Sequence, residues 1–170
     1  RLGLMNWVEF PASSYVKTNE FYLARLHRIV REMIAQNRNH PCVMVWGIYN
    51  ELYSVWDATR GKMGPKDGET VATLVQSWAK ELDPYHATTC AAAYVNRREL
   101  NCISDTLGFN AYPGWYGTSV DMMDAFIAEA CKDNRRSCVA ITEYGAGASV
   151  FQHGDAQARN LPLTPVHIEE

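Results

Sequence analysis

Two glutamates stand at the ends of short apolar runs. Glu51 closes Val43-Met44-Val45-Trp46-Gly47-Ile48-Tyr49-Asn50, and Glu143 closes Val139-Ala140-Ile141-Thr142. A pair of carboxyl groups is enough to break a glycosidic bond: one protonates the departing oxygen and the other attacks the anomeric carbon. Where the two stand about 5–5.5 Å apart, a covalent glycosyl-enzyme forms and configuration is retained. A single strand-end glutamate is more often a solvated side chain, because Glu is mostly exposed. The pair acquires chemical meaning only if a scaffold brings both residues to one place.

The pattern along the chain supplies such a scaffold. Leu2–Val8 is a continuous apolar run of the kind that suits a strand of a parallel sheet, and Pro11 follows it. Thr18–Asn37 is a helix by its apolar face of Tyr22, Leu26, Ile29, Val30, Met33 and Ile34. Thr18 or Asn19 can cap it. Cys42–Ile48 is the next strand, followed by a glycine-punctuated loop over Leu52–Gly68. Thr70–Leu82 is a helix with Val71, Leu74, Val75, Trp78 and Leu82 inward, stopped by Asp83-Pro84.

Ala87–Tyr94 is a third strand, Asn96–Asn101 a short helix and Thr106–Asn110 a fourth strand. Asp121–Asp133 is a helix with Met123, Phe126, Ile127 and Ala130 inward, and Cys138–Thr142 a fifth strand. Gly145–Pro162 has no period, and Thr164-Pro165 can open another helix. Strands alternating with helices imply βα units and a parallel sheet. No GxGxxG or P-loop sequence is present, which argues against the nucleotide-binding open sheets. A complete barrel has eight strands and about 250 residues. The expected fold is therefore α/β, a partial (β/α)8 barrel over residues 1–170, covering roughly its strands 3 to 7 and truncated at both ends. In such barrels catalytic groups sit at the C-terminal ends of strands, where Glu51 and Glu143 both fall.

Bulk properties exclude other classes. The net charge of −3 gives no electrostatic reason to expect nucleic acid or a membrane as partner. No apolar run approaches the roughly 20 residues of a membrane span. Cys42, Cys90, Cys102, Cys131 and Cys138 match no zinc or CxxC spacing, and Cys42, Cys90 and Cys138 are expected to act as small strand hydrophobes. Unpaired cysteines favour the cytoplasm over the periplasm. His27, His86 and His167 show no metal-ligand spacing. Ser13-Ser14 lies in no GxSxG motif. Trp46 is expected in the core, and His40 is expected to make structural hydrogen bonds.

Four stretches resemble glycoside hydrolase family 2, in that family's order. Met5-Asn6-Trp7-Val8-Glu9-Phe10-Pro11 is similar to its third barrel strand. Asn39-His40-Pro41, followed by Trp46-Gly47 and Asn50-Glu51, resembles its acid/base strand. Phe109-Asn110-Ala111-Tyr112-Pro113-Gly114-Trp115-Tyr116 is similar to its sixth strand and loop, and Ile141-Thr142-Glu143-Tyr144-Gly145 to its nucleophile strand. The resemblance implies a glycosidase in which Glu51 is the acid/base and Glu143 the nucleophile. It implies that Asn50 binds the sugar 2-hydroxyl and that Tyr112 orients Glu143. Trp115 and Tyr116 are candidates for stacking on a sugar ring, a task aromatic side chains share with rim packing. Glu9 is a candidate beside the site, and His153, after the nucleophile strand, a further sugar contact.

The run Tyr144-Gly145-Ala146-Gly147-Ala148-Ser149 with Gln152-His153 looks most like bacterial β-galactosidases. β-Glucuronidase is the alternative within the family. An alternative of another class is an inactive fragment or a non-catalytic sugar-binding remnant, and the isolated 170-residue chain is expected to show little turnover. The partners expected are a carbohydrate and the remaining domains of a parent chain. No cofactor is expected; the resemblance allows a Mg²⁺ in a full-length member, with no ligand set assigned to it here.

Overall fold

The computed structural model describes residues 3–14, 16–52, 65–115, 119, 121–133 and 138–145. The strands are β1 (Asn6–Glu9), β2 (Val43–Asn50), β3 (Ala87–Ala92), β4 (Leu107–Asn110) and β5 (Val139–Glu143). The helices are α1 (Glu20–Asn37), α2 (Pro65–Leu82), α3 (Arg98–Asn101) and α4 (Met122–Asp133). The strands form one sheet in the order β1-β2-β3-β4-β5, and every neighbouring pair is parallel. This is a half-barrel of βα units. Because all the strands point the same way, Glu9, Asn50-Glu51, Asn110 and Glu143 share one rim.

The segments form these elements for local reasons. Asn19 caps α1 by accepting a hydrogen bond from the Tyr22 N–H at 2.9 Å. Leu26, Val30 and Ile34 repeat at four-residue spacing and are buried against the sheet. Each such burial contributes about 2 kcal/mol. The Arg38 N–H closes the last turn on Ile34, and Pro41 then prevents continuation. The core lies between the helices and the outer face of the sheet, where Trp46, Ile48, Val71, Val75, Phe109 and Ala130 meet.

Trp46 is fully buried, as expected. Its indole N–H donates to Asp83 Oδ2 at 3.1 Å, and His86 Nδ1 lies 2.7 Å from the same oxygen. Burial pushes the Asp83 carboxyl up, but hydrogen bonds from Trp46, His86 and Tyr85 outweigh it and hold the group below the usual carboxylate range. This network pins the turn after α2 beneath β2.

Several boundaries differ from the sequence expectation. β1 begins at Asn6 rather than Leu2, where pairing with Val43 starts. β2 runs two residues past Ile48, because Asn50 still pairs with Ala91. α2 begins at Pro65, so residues 65–68 belong to a helix and not to the expected loop. Proline is favoured at a first helical position, and Asp67 adds a favourable charge to the first turn. β3 stops at Ala92, short of Tyr94. Ile127 is 39% exposed rather than inward. It flanks the line of Phe126 and Ala130 on α4, and β5 behind that helix is an edge strand of the described sheet. All five cysteines are free, but only Cys90 is buried; Cys138 precedes β5 and is exposed. The His40 main chain bonds to Asn37 and Val43 in the turn before β2.

One close approach shapes the inner face. A Cβ on Gly108 of β4 would lie 2.3 Å from the Cys90 carbonyl, 2.4 Å from Thr142 Cγ2 and 3.1 Å from Trp7 Cη2. Backbone cannot retreat as a side-chain tip can. Gly108→Ala should therefore destabilise the protein by about 3 kcal/mol, the upper end of the usual overpacking range. A urea midpoint equal to that of the parent protein would contradict this packing.

Candidate active site

The rim is assembled from the ends of β1, β2, β4 and β5. A register shift interrupts the β2–β3 pairing between Gly47 and Asn50. Beyond it, the Asn50 N–H turns to the Ala12 carbonyl at 2.9 Å, and the Glu51 N–H donates to Ala91 at 2.8 Å. Glu51 itself has φ +47°. A left-handed conformation in a residue with a Cβ costs about 1–2 kcal/mol, and such strain gathers where a side chain must be aimed. The bulge and the left-handed residue re-aim the Glu51 side chain.

Its carboxylate meets Asn110, the last residue of β4. Asn110 is 5% exposed. Its Nδ2 donates to Glu51 Oε1 at 2.9 Å and to Asn50 Oδ1 at 3.1 Å. Its Oδ1 accepts from Thr142 Oγ1 at 2.6 Å. Asn110 also pairs in register with Glu143. One side chain thus joins the strand that carries Glu51 to the strand that carries Glu143.

Glu143 ends β5. Its carbonyl accepts the Ala111 N–H at 2.9 Å, and its Oε2 accepts a hydrogen bond from the Tyr112 hydroxyl. Tyr112 opens a tight turn with Pro113, Gly114 and Trp115. The Trp115 N–H returns to the Tyr112 carbonyl at 3.1 Å, and Gly114 has φ +88°. Proline followed by a glycine of positive φ is the pattern of a type II turn. The turn sets Tyr112 on Glu143 and leaves Trp115 half-buried at the rim.

A third carboxyl, Glu9, ends β1 on the same rim. A Cβ on Gly47 would lie 2.9 Å from Trp7 Nε1 and 3.0 Å from Glu9 Cγ. The absence of a side chain at Gly47 therefore seats both residues on the inner face. From there Trp7 reaches across to Gly108. Partial burial, and then the charge of Glu143, push the Glu9 carboxyl above the usual carboxylate range. Glu9 therefore keeps its proton to higher pH than a free glutamate.

The structure therefore brings Glu51, Glu143, Asn50, Tyr112 and Trp115 to one rim, with Glu9 alongside. His153 and Tyr116 lie outside the described residues, as do most of Leu52–Gly68 and the segment after Gly145. Sequence reasoning gave no role to Asn110, Thr142, Trp7 or the glycines Gly47 and Gly108. Asn110 had one signal: a polar residue closing a strand two positions before Tyr112. Among the described residues, no three His, Cys, Asp or Glu side chains are grouped to hold a metal ion. None of the described helices is long and apolar enough to cross a membrane.

Residues 3–158 match the model of the glycosyl hydrolases family 2 TIM barrel domain. The chain belongs to glycosyl hydrolase family 2. Among its relatives is a β-glucuronidase of Bacteroides fragilis, 30% identical over 162 residues, which are 91% of this chain and 22% of that protein. Among solved structures, Bacteroides uniformis β-glucuronidase 2 covalently bound to cyclophellitol-6-carboxylate aziridine superposes with a TM-score of 0.77 at 29% identity. That match covers 88% of this chain and 19% of the other. A putative β-galactosidase from Bacteroides fragilis gives a TM-score of 0.75 at 27% identity, over 91% of this chain and 22% of the other. This chain thus spans about a fifth of the length of these family members.

Proposed function

We propose that the chain carries the catalytic carboxylates of a retaining β-glycosidase and works within a longer polypeptide that completes the barrel. The observation that carries this reading is the Asn110 bridge, which ties the Glu51 and Glu143 strand ends into one hydrogen-bonded rim. Glu51 gives its proton to the glycosidic oxygen as the bond to the anomeric carbon breaks. Glu143 attacks that carbon from the opposite face and forms a covalent ester. Glu51, now ionised, takes a proton from water, which displaces Glu143 and releases the sugar with its configuration retained.

The neighbours suit these roles. The Tyr112 hydroxyl donates to Glu143 Oε2 and holds the side chain in place for attack. Asn110 occupies Asn50 Oδ1, so the Asn50 amide faces the substrate as a donor. It is suited to a 2-hydroxyl oxygen, a contact that strengthens in the transition state. Trp115 offers an apolar ring at the entrance.

For the substrate, a β-glucuronide is the first reading. Relatives named as β-glucuronidases include the Bacteroides fragilis protein and the Bacteroides uniformis enzyme. A β-galactoside is the second, supported by the run from Tyr144 to Ser149 and by the putative β-galactosidase. Turnover of nitrophenyl β-glucuronide and β-galactoside by the full-length polypeptide separates them. The glucuronide should be preferred by at least about 100-fold in kcat/KM, the range open to a site built for a polar group. Preference for the galactoside would reverse the substrate reading. Turnover of no β-glycoside would favour a sugar-binding remnant over a hydrolase.

A further inference from the structure

Asn110 is almost fully buried, and its amide is nearly saturated. Both N–H bonds are spent, on Asn50 Oδ1 and Glu51 Oε1, and the carbonyl accepts from Thr142. The orientation of that amide is decided by its surroundings. Flipped, it would set its oxygen against the oxygens of Asn50 and Glu51, which are both acceptors when Glu51 is ionised. The Thr142 hydroxyl donates to the carbonyl in this orientation and anchors the amide to the strand that carries Glu143.

We propose that Asn110 is a positioning residue for proton transfer: it holds Glu51 Oε1 permanently as a hydrogen-bond acceptor, so that Oε2 carries the proton delivered to the leaving group. The proposal rests on the acid/base reading of Glu51. A protonated carboxyl has one hydroxyl oxygen and one carbonyl oxygen. With Nδ2 of Asn110 donating to Oε1, a proton on that atom would face another donor. The proton therefore resides on Oε2. Once it has left, the bond from Asn110 meets a full carboxylate and becomes a charge-assisted one, about twice as strong as its neutral counterpart. The bond grows along the reaction and supports the step in which the proton departs. Thr142 acts one link further back, by holding the amide in its productive orientation. Asn110 spans from β4 to β2 because β3, between them, ends in Ala91-Ala92 and presents only methyl groups.

The test uses the full-length polypeptide and two aryl glycosides of its preferred sugar. A dinitrophenyl glycoside leaves without protonation; a phenyl glycoside needs it. General acid catalysis contributes about 10²–10⁴-fold, so partial loss of its geometry in Asn110→Ala should lower kcat/KM for the phenyl glycoside about 30-fold or more. The dinitrophenyl glycoside should change by less than about 3-fold, since its departure bypasses general acid help. Thr142→Val keeps the volume, removes the hydroxyl and should show the same split more weakly. It decides the matter if Asn110→Ala fails to fold. Equal losses on both substrates in the variants that fold would overturn the proposal and leave Asn110 a structural residue. Glu51→Ala is run alongside. A leaving-group split there but not in the Asn110 and Thr142 variants refutes this inference alone. No split in Glu51→Ala refutes the acid/base reading beneath it.

Discussion

Replacing Glu143 by alanine in the full-length polypeptide is expected to lower kcat by at least about 10⁴-fold, as loss of a covalent nucleophile does in other hydrolases. The side chain ends β5 and is held by Tyr112, and Tyr112→Phe removes that bond and leaves it less well oriented. Glu143→Gln, close to the native shape, should lose turnover while still binding sugar. Added azide gives the alanine variant a mechanistic signature. Azide entering the space of the missing carboxylate attacks the anomeric carbon from the nucleophile's face. A single inversion of a β-glycoside yields an α-glycosyl azide. Proton NMR of the product distinguishes the anomers, and normal turnover by either variant would end the assignment of Glu143.

Glu51→Ala should behave differently. Its kcat/KM for a phenyl glycoside should fall by about 10³–10⁴-fold, near the full value of general acid catalysis. A dinitrophenyl glycoside should still transfer its sugar to Glu143, so kcat/KM stays within about 10-fold of the parent value for a leaving group that needs no acid. The second step then stalls without a base. Azide, which needs no deprotonation, should restore kcat and give a β-glycosyl azide after two inversions. An α product, or equal losses on both substrates, would contradict the role given to Glu51. The backbone supplies a physical reason for the position: a glutamate at φ +47° is a conformation that local propensity disfavours. The surrounding bonds to Ala91 and Asn110 hold it there.

Much of this scaffold was legible in the chain. Apolar runs alternating with helical stripes gave the order of strands and helices, because burial imposes those periods. Both glutamates could be placed at strand ends for the same reason. The errors have physical causes. Gly68 reads as loop punctuation, yet it is buried within α2. β2 continues to Asn50 because pairing with β3 outlasts the last apolar residue. Ile127 matches the apolar stripe of α4 but flanks an edge strand and stays exposed. Asn110 was beyond reach of periodicity altogether. Its role exists only where β4, β2 and β5 meet, through contacts separated by 32 to 60 positions in sequence. Trp7 is similar: its place depends on glycines contributed by two other strands.

Covalent capture identifies the nucleophile directly. A β-configured cyclophellitol aziridine opens under nucleophilic attack and leaves an ester on the attacking carboxylate. The full-length polypeptide is treated with the reagent matching its preferred sugar, digested and mapped by tandem mass spectrometry. A single adduct on Glu143 is expected, lost in Glu143→Gln. Attachment to Glu51 or Glu9 instead, or labelling that survives Glu143→Gln, would contradict the assignment of Glu143 as nucleophile.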